Sequence, residues 1–193
     1  MDQLKERNVS DLENLNHNSM AKTNEDRFPE LYNSSIDDFF HTFIKNPNYV
    51  DCLCKDQLKD LPAERMFCLV NSQPLDYKGS DRHWTMIYLI DPNYAIIFDS
   101  YGCACDQDIL NYVKKVAKKF NLTVASQNSQ IQVFNSNACG YYCIFMILKL
   151  LKGETYREAL NHFTEHNIDS QTNEKYLYNY FKDKMKFLTN KQD

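Results

Sequence analysis

The chain has few of the features that mark membrane, secreted or multidomain proteins. It contains only four glycines and five prolines in 193 residues, and no run of about 18 apolar residues. We find neither an internal repeat nor an interior linker. Residues 1–6 lack the charged-then-apolar pattern of a secretory signal. We therefore expect one domain that neither spans a membrane nor is secreted.

Positive charge is also scarce. The formal net charge is −4 and the isoelectric point is near 5.7, which argues against a general binder of polyanions. Four lysines, Lys114, Lys115, Lys118 and Lys119, cluster locally, and we interpret them as one solvated helix face. Nucleic acid is therefore not expected as a partner.

The hydrophobic content is sufficient for one core. It reaches 43%, with 13% aromatic residues, in a chain of 22.8 kDa. Residues 1–30 are polar and show no sustained apolar period, so we expect a mobile N-terminal arm. Residues 31–193 are predicted to form a single domain.

The spacing of apolar residues predicts alternating helices and strands. Ile36, Phe39, Phe40 and Phe43 recur at helical spacing from Ser35 to about Asn46. Further helices are predicted at residues 106–120, 139–151, 155–163 and 173–187. Strands are predicted at residues 66–70, 83–90, 94–98 and 130–134, the second and third joined as a hairpin. The predicted fold is α+β, with a central mixed β-sheet packed by helices.

Cys139 stands where a polar segment gives way to the apolar helix that Gly153 is expected to end. A thiol at a helix N-terminus is favoured as the thiolate, because free backbone N–H groups and the helix dipole stabilise negative charge. Gly140 would let a substrate backbone approach and leave the Cys139 N–H free to face an oxyanion. Cys139 is therefore the candidate nucleophile.

Two residues at strand ends complete a candidate catalytic set. His83 begins an apolar strand after a polar loop, and Trp84 beside it is expected to limit access of solvent to the imidazole. Asp99 closes the next strand and can accept the N–H of the imidazole ring. Asp81 and Asp91 are alternatives, but Asp81 is too near His83 in sequence and Asp91 belongs to the predicted turn.

An amide donor lies seven positions before the candidate nucleophile. Gln132 can stabilise an oxyanion without competing for the proton of the imidazole. Gln130 offers the same chemistry, and only spacing separates the two residues. Together these groups predict a thiol endopeptidase that forms an acyl-enzyme on Cys139.

A metal-stabilised, non-catalytic binding module is the alternative from a different class of function. It would use Cys52-x-Cys54, Cys103-x-Cys105 and histidines. Paired zinc ligands usually have two or more residues between them, whereas these pairs have one. We therefore expect no metal and no other cofactor, and we expect most of the seven cysteines to be free thiols.

The order and context of these residues resemble the adenovirus-type cysteine endopeptidases. The likeness is strongest to the branch encoded by polinton or maverick elements and virophages, and SUMO proteases resemble the chain more distantly. Papain-like enzymes place the cysteine first instead. The motifs are His83-Trp84, Phe98-Asp99-Ser100-Tyr101-Gly102, Gln130-Ile131-Gln132 and Ser136-Asn137-Ala138-Cys139-Gly140-Tyr141-Tyr142-Cys143.

The resemblance implies roles for four residues. His83 would be the general base, Asp99 the residue that orients it and Cys139 the nucleophile, while the Gln132 side chain and the Cys139 N–H would form the oxyanion hole. It further implies that the protein cleaves viral capsid or core precursors after small residues, often glycine. A deconjugating protease for ubiquitin-like modifiers is the alternative enzyme, since scaffold and cleavage preference are shared.

The chain departs from the adenovirus enzyme in its means of activation. That enzyme is activated by viral DNA and by a peptide disulfide-linked to a cysteine upstream of the nucleophile, but residues 106–138 here contain no cysteine. We therefore expect neither activator to be needed. We expect a monomer located in the host cell cytoplasm, the viral factory or the virion.

Overall fold

The computed structural model describes residues 28–79, 82–102, 106–134, 136–164 and 170–189. The helices are α1 (Asn33–Phe39), α2 (Gln107–Phe120), α3 (Cys139–Leu151), α4 (Tyr156–Thr164), α5 (Ser170–Phe181) and α6 (Met185–Thr189). The strands are β1 (Leu53–Cys54), β2 (Phe67–Asn71), β3 (Trp84–Tyr88), β4 (Tyr94–Phe98) and β5 (Thr123–Ala125). A π-helical turn at Phe40–Ile44 extends α1, and a 3-10 helix at Lys55–Asp60 follows β1.

The five strands form one mixed sheet in the order β1-β2-β3-β4-β5. The outer pairs, β1 with β2 and β4 with β5, are parallel, whereas β2, β3 and β4 pair antiparallel. Met86 lies opposite Phe98 in the β3–β4 hairpin. The predicted α+β class, mixed sheet and hairpin are thus confirmed.

Alternate residues of the central strands face two separate layers of core. Phe67 and Leu69 of β2 pack in the cluster that contains α3, whereas Cys68 and Val70 pack in the cluster that contains α2. This alternation is the geometry of a strand. Because both faces are covered, β2 is apolar from Phe67 to Val70, and only its last residue, Asn71, is polar.

Helix α3 is the central helix of the larger core cluster. It begins at Cys139, and ten of its 13 residues are buried. Lys152 follows as the C-cap, and Gly153 then adopts a φ of +91°, a left-handed conformation that glycine tolerates. The predicted buried helix, with Cys139 at its N-terminus and glycine at its end, is confirmed.

The first helix differs in detail from its prediction. It begins at Asn33, before Ser35, and the Ser35 hydroxyl oxygen accepts the Tyr32 N–H at 3.3 Å. Serine therefore stabilises the helix start from inside the first turn instead of preceding it. The π-helical turn ends when Lys45 adopts a φ of +51°.

The strand predicted at residues 130–134 is wrong. The structure has no strand there, and β5 lies earlier, at Thr123–Ala125. The N–H groups of Ile131 and Gln132 both donate to the Ser100 carbonyl, at 2.9 and 3.1 Å, and that of Val133 donates to the Glu174 carboxylate. Because these backbone N–H groups bond to one carbonyl and one side chain, they cannot form the regular hydrogen bonds between neighbouring strands of a β-sheet.

The helix predicted at residues 173–187 is two helices, α5 and α6. The chain turns at residues 182–184, where the Lys184 N–H donates to the Phe181 carbonyl at 2.7 Å. The turn lets α6 pack against α1, and the rings of Phe43 and Phe187 lie 4.8 Å apart. Apolar periodicity alone did not reveal this break.

Two of the four lysines of α2 have structural partners. The Lys115 and Lys119 ammonium groups donate to the carbonyls of Leu61 and Ala63, at 3.0 and 2.7 Å. These bonds attach α2 to the segment that precedes β2. The interpretation of all four lysines as a purely solvated face is therefore corrected.

The predicted N-terminal arm lies outside the described residues up to residue 27. Phe28, near its end, is buried, and its ring lies 4.8 Å from that of Tyr141 in α3. The packed part of the chain thus includes residues just before the predicted boundary at residue 31. No helix in the described ranges is long and apolar enough to cross a bilayer.

Candidate active site

The β3–β4 hairpin brings the candidate histidine and acid together. His83 immediately precedes β3 and Asp99 immediately follows β4, so the antiparallel pairing places both at the same end of the hairpin. The His83 Nε2 atom lies 2.9 Å from Asp99 Oδ1. Nε2 is shielded from solvent, and it does not have the geometry of a hydrogen bond with the carboxylate. The contact is therefore an ion pair when the imidazole is protonated. Of the alternatives, Asp81 lies outside the described residues.

A turn after β4 fixes the orientation of Asp99. Its Oδ1 atom also accepts the Tyr101 N–H at 2.9 Å, and its carbonyl accepts the Gly102 N–H at 2.9 Å. Gly102 has a φ of +62°, and an added Cβ would lie 2.5 Å from the Ser129 backbone, so only glycine fits. Asp91 is instead used by the β3–β4 turn, where its carboxylate accepts two backbone N–H groups.

Cys139 is the first residue of α3. No side chain caps this helix, and its first N–H groups have no acceptor within the helix, so the Cys139 amide is available to an external oxygen. The Cys139 side chain lies close enough to the His83 imidazole to help raise the pKa of the imidazole. Since Nε2 faces Asp99, the other ring nitrogen, Nδ1, is the one left for the sulfur.

The surroundings of His83 favour its protonated form. Burial lowers the pKa of the imidazole, but its interactions with the acidic groups of Asp99 and Cys139 act in the opposite direction and raise the pKa to about 9. At neutral pH the imidazole is therefore charged in this environment. Such an imidazolium can pair with a thiolate and can donate a proton.

Exposure differs among the three candidate catalytic residues. Cys139 is buried and retains only 6% of its surface, whereas the His83 side chain is 22% exposed and the Asp99 side chain 11%. The imidazole is therefore the most exposed of the three groups.

Tyr101 is a site residue to which the sequence analysis gave no role. Its ring stacks on the His83 imidazole, with centroids 5.0 Å apart and planes 26° from parallel. Its hydroxyl oxygen accepts the Gln132 side-chain N–H at 3.2 Å. Tyr101 thus connects the histidine to the candidate oxyanion donor. Its position two residues after Asp99, in a tight turn, was the available signal.

Trp84 and Gly140 have packing roles that differ from those expected. A Cβ on Gly140 would lie 2.9 Å from Leu31 Cδ1 and 3.2 Å from Trp84 Cδ1, so this buried glycine lets β3 and the preceding chain approach α3. The expected opening for a substrate backbone at Gly140 is therefore corrected. The Trp84 carbonyl also accepts the Cys143 thiol at 3.4 Å, which fixes the strand against the helix.

Gln132 is fully buried beside these groups but does not touch Cys139 directly. Its Nε2 atom donates to the Ser136 carbonyl at 2.8 Å and lies 3.1 Å from the Ser136 hydroxyl. Its Oε1 atom accepts the Ser100 hydroxyl. The amide nitrogen therefore faces the loop that leads into α3. Gln130, the alternative donor, instead bonds through its own amide to the Gln132 carbonyl at 2.9 Å.

The other described thiols are unlike Cys139 in their surroundings. Burial raises the pKa of Cys52, Cys54, Cys68 and Cys143, which favours the unreactive thiol form. All five described cysteines are free. No three His, Cys, Asp or Glu side chains in the described part of the chain are placed to hold a metal ion. Cys103 and Cys105 lie outside that part.

The fold, but not the sequence, is similar to known proteins. No family model matches the chain, and no curated protein sequence matches it. The crystal structure of ASFV pS273R protease superposes with a TM-score of 0.57 at 14% identity, covering 81% of this chain and 68% of that one. The Se-Met form of ASFV pS273R protease gives 0.55 at 16% identity, with 81% and 69% covered. This chain shares the fold of that protease.

Proposed function

We propose that this chain is a cysteine endopeptidase that processes viral capsid or core precursor proteins, cleaving after small residues such as glycine. The observation that carries the proposal is the meeting of Cys139, at an uncapped helix N-terminus, with a His83 imidazole paired to Asp99. The fold shared with the ASFV protease supports the same class of reaction. The choice of substrate rests on the sequence resemblance.

In the first step, the Cys139 thiolate attacks the carbonyl carbon of the scissile peptide bond. A C–S bond forms and the carbonyl electrons move to oxygen, giving a tetrahedral oxyanion. The Cys139 N–H at the start of α3 is the first donor to this oxyanion. The Gln132 amide is the second, and it would exchange one of its bonds to Ser136 or Tyr101 for the oxyanion.

The tetrahedral intermediate then collapses to a thioester. The His83 imidazolium gives its proton to the leaving amine, the C–N bond breaks and the C-terminal product departs. Neutral His83 next takes a proton from water, whose oxygen attacks the thioester. The second intermediate releases the carboxylic acid product and restores the thiolate and imidazolium. Asp99 stabilises the imidazolium and holds its orientation.

The proposal is tested by digesting a peptide library prepared from a proteome and identifying new ends by mass spectrometry. Purified protein is expected to cleave internal bonds, with glycine or another small residue enriched before the cut. Capsid or core precursors of the source virus form a second arm, and a ubiquitin-like conjugate forms a third. Cleavage only of the conjugate would contradict a maturation role, and no cleavage in any arm would contradict the enzyme assignment.

The pH dependence of activity is expected to report the His83–Asp99 pair. Because protonated His83 is needed and its pKa is about 9, kcat/KM should fall as the pH rises through that value. Asp99→Asn removes a charge that raises this pKa, so the alkaline limb should move to lower pH. We also expect kcat/KM at pH 7.5 to fall about 100-fold or more. The measurement is a kcat/KM profile between pH 6 and 10; an unmoved alkaline limb would contradict the assigned pair.

Phe134 is expected to contact the substrate. Its side chain is 74% exposed, yet its ring lies 6.2 Å from that of Tyr101, which stacks on His83. Covering an exposed aromatic ring with substrate is worth about 1–2 kcal/mol, so Phe134→Ala should raise KM roughly 5- to 30-fold. The kcat and the melting temperature should change little. The exposed Leu75→Ala is a control for loss of surface apolar area, and an unchanged KM in Phe134→Ala would exclude the contact.

A further inference from the structure

Glu174 is a buried carboxylate that bonds to the loop before the candidate nucleophile. It lies on α5, far along the chain from that loop, and is 8% exposed. Its Oε1 atom accepts the Val133 N–H at 2.9 Å and the hydroxyl of Ser136. A buried carboxylate costs desolvation energy that a neutral acceptor would largely avoid. The presence of a carboxylate at this buried position is therefore not explained by the packing of α5 alone.

Ser136 transmits the effect of Glu174 to two neighbours. A hydroxyl has one hydrogen to donate and two lone pairs that accept. Because the Ser136 hydrogen is given to Glu174, its oxygen is left to accept from the Gln132 amide at 3.1 Å and from the Ala138 N–H at 3.4 Å. Glu174 thereby sets the direction of the hydrogen bonds that the Ser136 hydroxyl makes.

The same network fixes which end of the Gln132 amide faces Ser136, in the segment before α3. The Ser136 carbonyl can only accept, so it must face Nε2, and on the other side the Ser100 hydroxyl bonds to Oε1. Asn173, beside Glu174 on α5, donates to the Ile131 carbonyl at 3.2 Å and holds the beginning of the loop. Ile131, Val133 and Ser136 are thus each bonded to α5.

We propose that Glu174 is a positioning residue for the cysteine-protease reaction. Through Val133 and Ser136 it holds the Gln132 amide nitrogen toward the start of α3, where the oxyanion would form. This inference rests on the proposed function. It assigns to α5 a part in transition-state stabilisation that does not involve contact with substrate, Cys139 or His83.

A matched pair of substitutions tests the role. In Glu174→Gln, the side-chain oxygen can still accept both bonds, whereas Glu174→Met has similar size and accepts none. The readouts are cleavage of a quenched peptide built on the best-cut library sequence and the rate of Cys139 alkylation by iodoacetamide. Since one oxyanion donor is worth about 100- to 1,000-fold in kcat, Glu174→Met should lower kcat roughly 10- to 100-fold. Glu174→Gln should stay within about threefold of wild type, because its acceptor remains.

The other readouts separate positioning from loss of structure. In Glu174→Met, KM and the alkylation rate should stay within about threefold, because neither depends on an oxyanion donor. Adding Glu174→Met to Gln132→Ala should lower kcat by less than about twofold, because both changes remove the same interaction. Fully multiplicative losses, or alkylation that falls in parallel with kcat, would overturn the inference.

The outcomes also distinguish this inference from the proposed function. A wild-type protein without Cys139-dependent cleavage would contradict the proposed function and the inference with it. Cleavage by wild type and equally fast cleavage by Glu174→Met would contradict only the role of Glu174. If Glu174→Met does not fold, Ser136→Ala replaces it, since that change breaks the same link at one hydroxyl. Its kcat should fall about fivefold or more, and an unchanged kcat would overturn the inference.

Discussion

Replacement of Cys139 by alanine is expected to abolish peptide cleavage, lowering kcat by at least about 10⁴-fold. The reason is that the other thiols cannot replace this sulfur. Cys139 interacts with His83 at the start of α3, whereas burial holds Cys52, Cys54, Cys68 and Cys143 in the thiol form. The measurement is turnover of the quenched library peptide at pH 7.5.

The matched control for this prediction is Cys68→Ala. Cys68 is fully buried on the sheet face that packs against α2, away from the nucleophile helix. Loss of its sulfur should cost on the order of 1 kcal/mol in the free energy of unfolding and leave turnover within about twofold. Cleavage that survives in Cys139→Ala but not in Cys68→Ala would show that Cys139 is not the nucleophile.

Replacement of His83 by alanine is expected to reduce kcat/KM at pH 7.5 by at least about 10³-fold. In the proposed mechanism two functions are lost together, since His83 is the partner of the Cys139 sulfur and the group that protonates the leaving amine. The first loss also predicts slower alkylation of Cys139 by iodoacetamide. The rates of peptide cleavage and of Cys139 alkylation are measured on the same preparation, so that differences between preparations cannot cause the expected fall in both.

His41→Ala is the control for the loss of a histidine paired with a carboxylate. His41 and Asp51 form an ion pair of 2.6 Å, but both side chains are about 60% exposed. Exposed ion pairs contribute about 0–1 kcal/mol to stability, so this variant should keep its activity within about twofold. Normal alkylation and cleavage in His83→Ala would show that the imidazole does not activate Cys139.

The parts of the fold that followed from sequence are those determined by local chemistry. The central helix is an apolar run that begins after Asn137-Ala138 and ends before Gly153, and both boundaries are local signals. The β3–β4 hairpin follows from two apolar runs separated by Asp91-Pro92-Asn93. A hairpin places its first and last residues at the same end, so the contact of His83 with Asp99 was a hypothesis from sequence, and the register that brings them together comes from the structure.

The parts that did not follow depend on contacts between distant residues. Residues 130–134 resemble a strand in sequence because of Ile131, Val133 and Phe134. In the structure, however, the Ile131 N–H bonds to the Ser100 carbonyl and the Val133 N–H to the Glu174 carboxylate. Nothing local to that segment reveals a carboxylate supplied by α5. The stacking of Tyr101 on His83 could not be predicted either, because it depends on how the turn after β4 orients the Tyr101 ring.

The hydrogen bonds between Gln132 and Ser136 illustrate what sequence alone does not predict about the site, namely the orientation of a side chain. The residue type and its distance from Cys139 in sequence made Gln132 the candidate amide donor. The direction in which that amide points depends on Ser100 and Tyr101 in the turn after β4 and on Ser136 before α3. A side chain with two different ends is oriented by its whole network of partners.

The most direct test of the central claim is to trap Cys139 with a peptide that ends in a glycine-derived electrophile. Intact mass spectrometry at pH 7.5 should show one adduct per chain, and peptide mapping should place it on Cys139, with its formation slowed at least about 100-fold in His83→Ala. An adduct spread over several of the seven cysteines, or equal labelling in the His83 variant, would contradict the account.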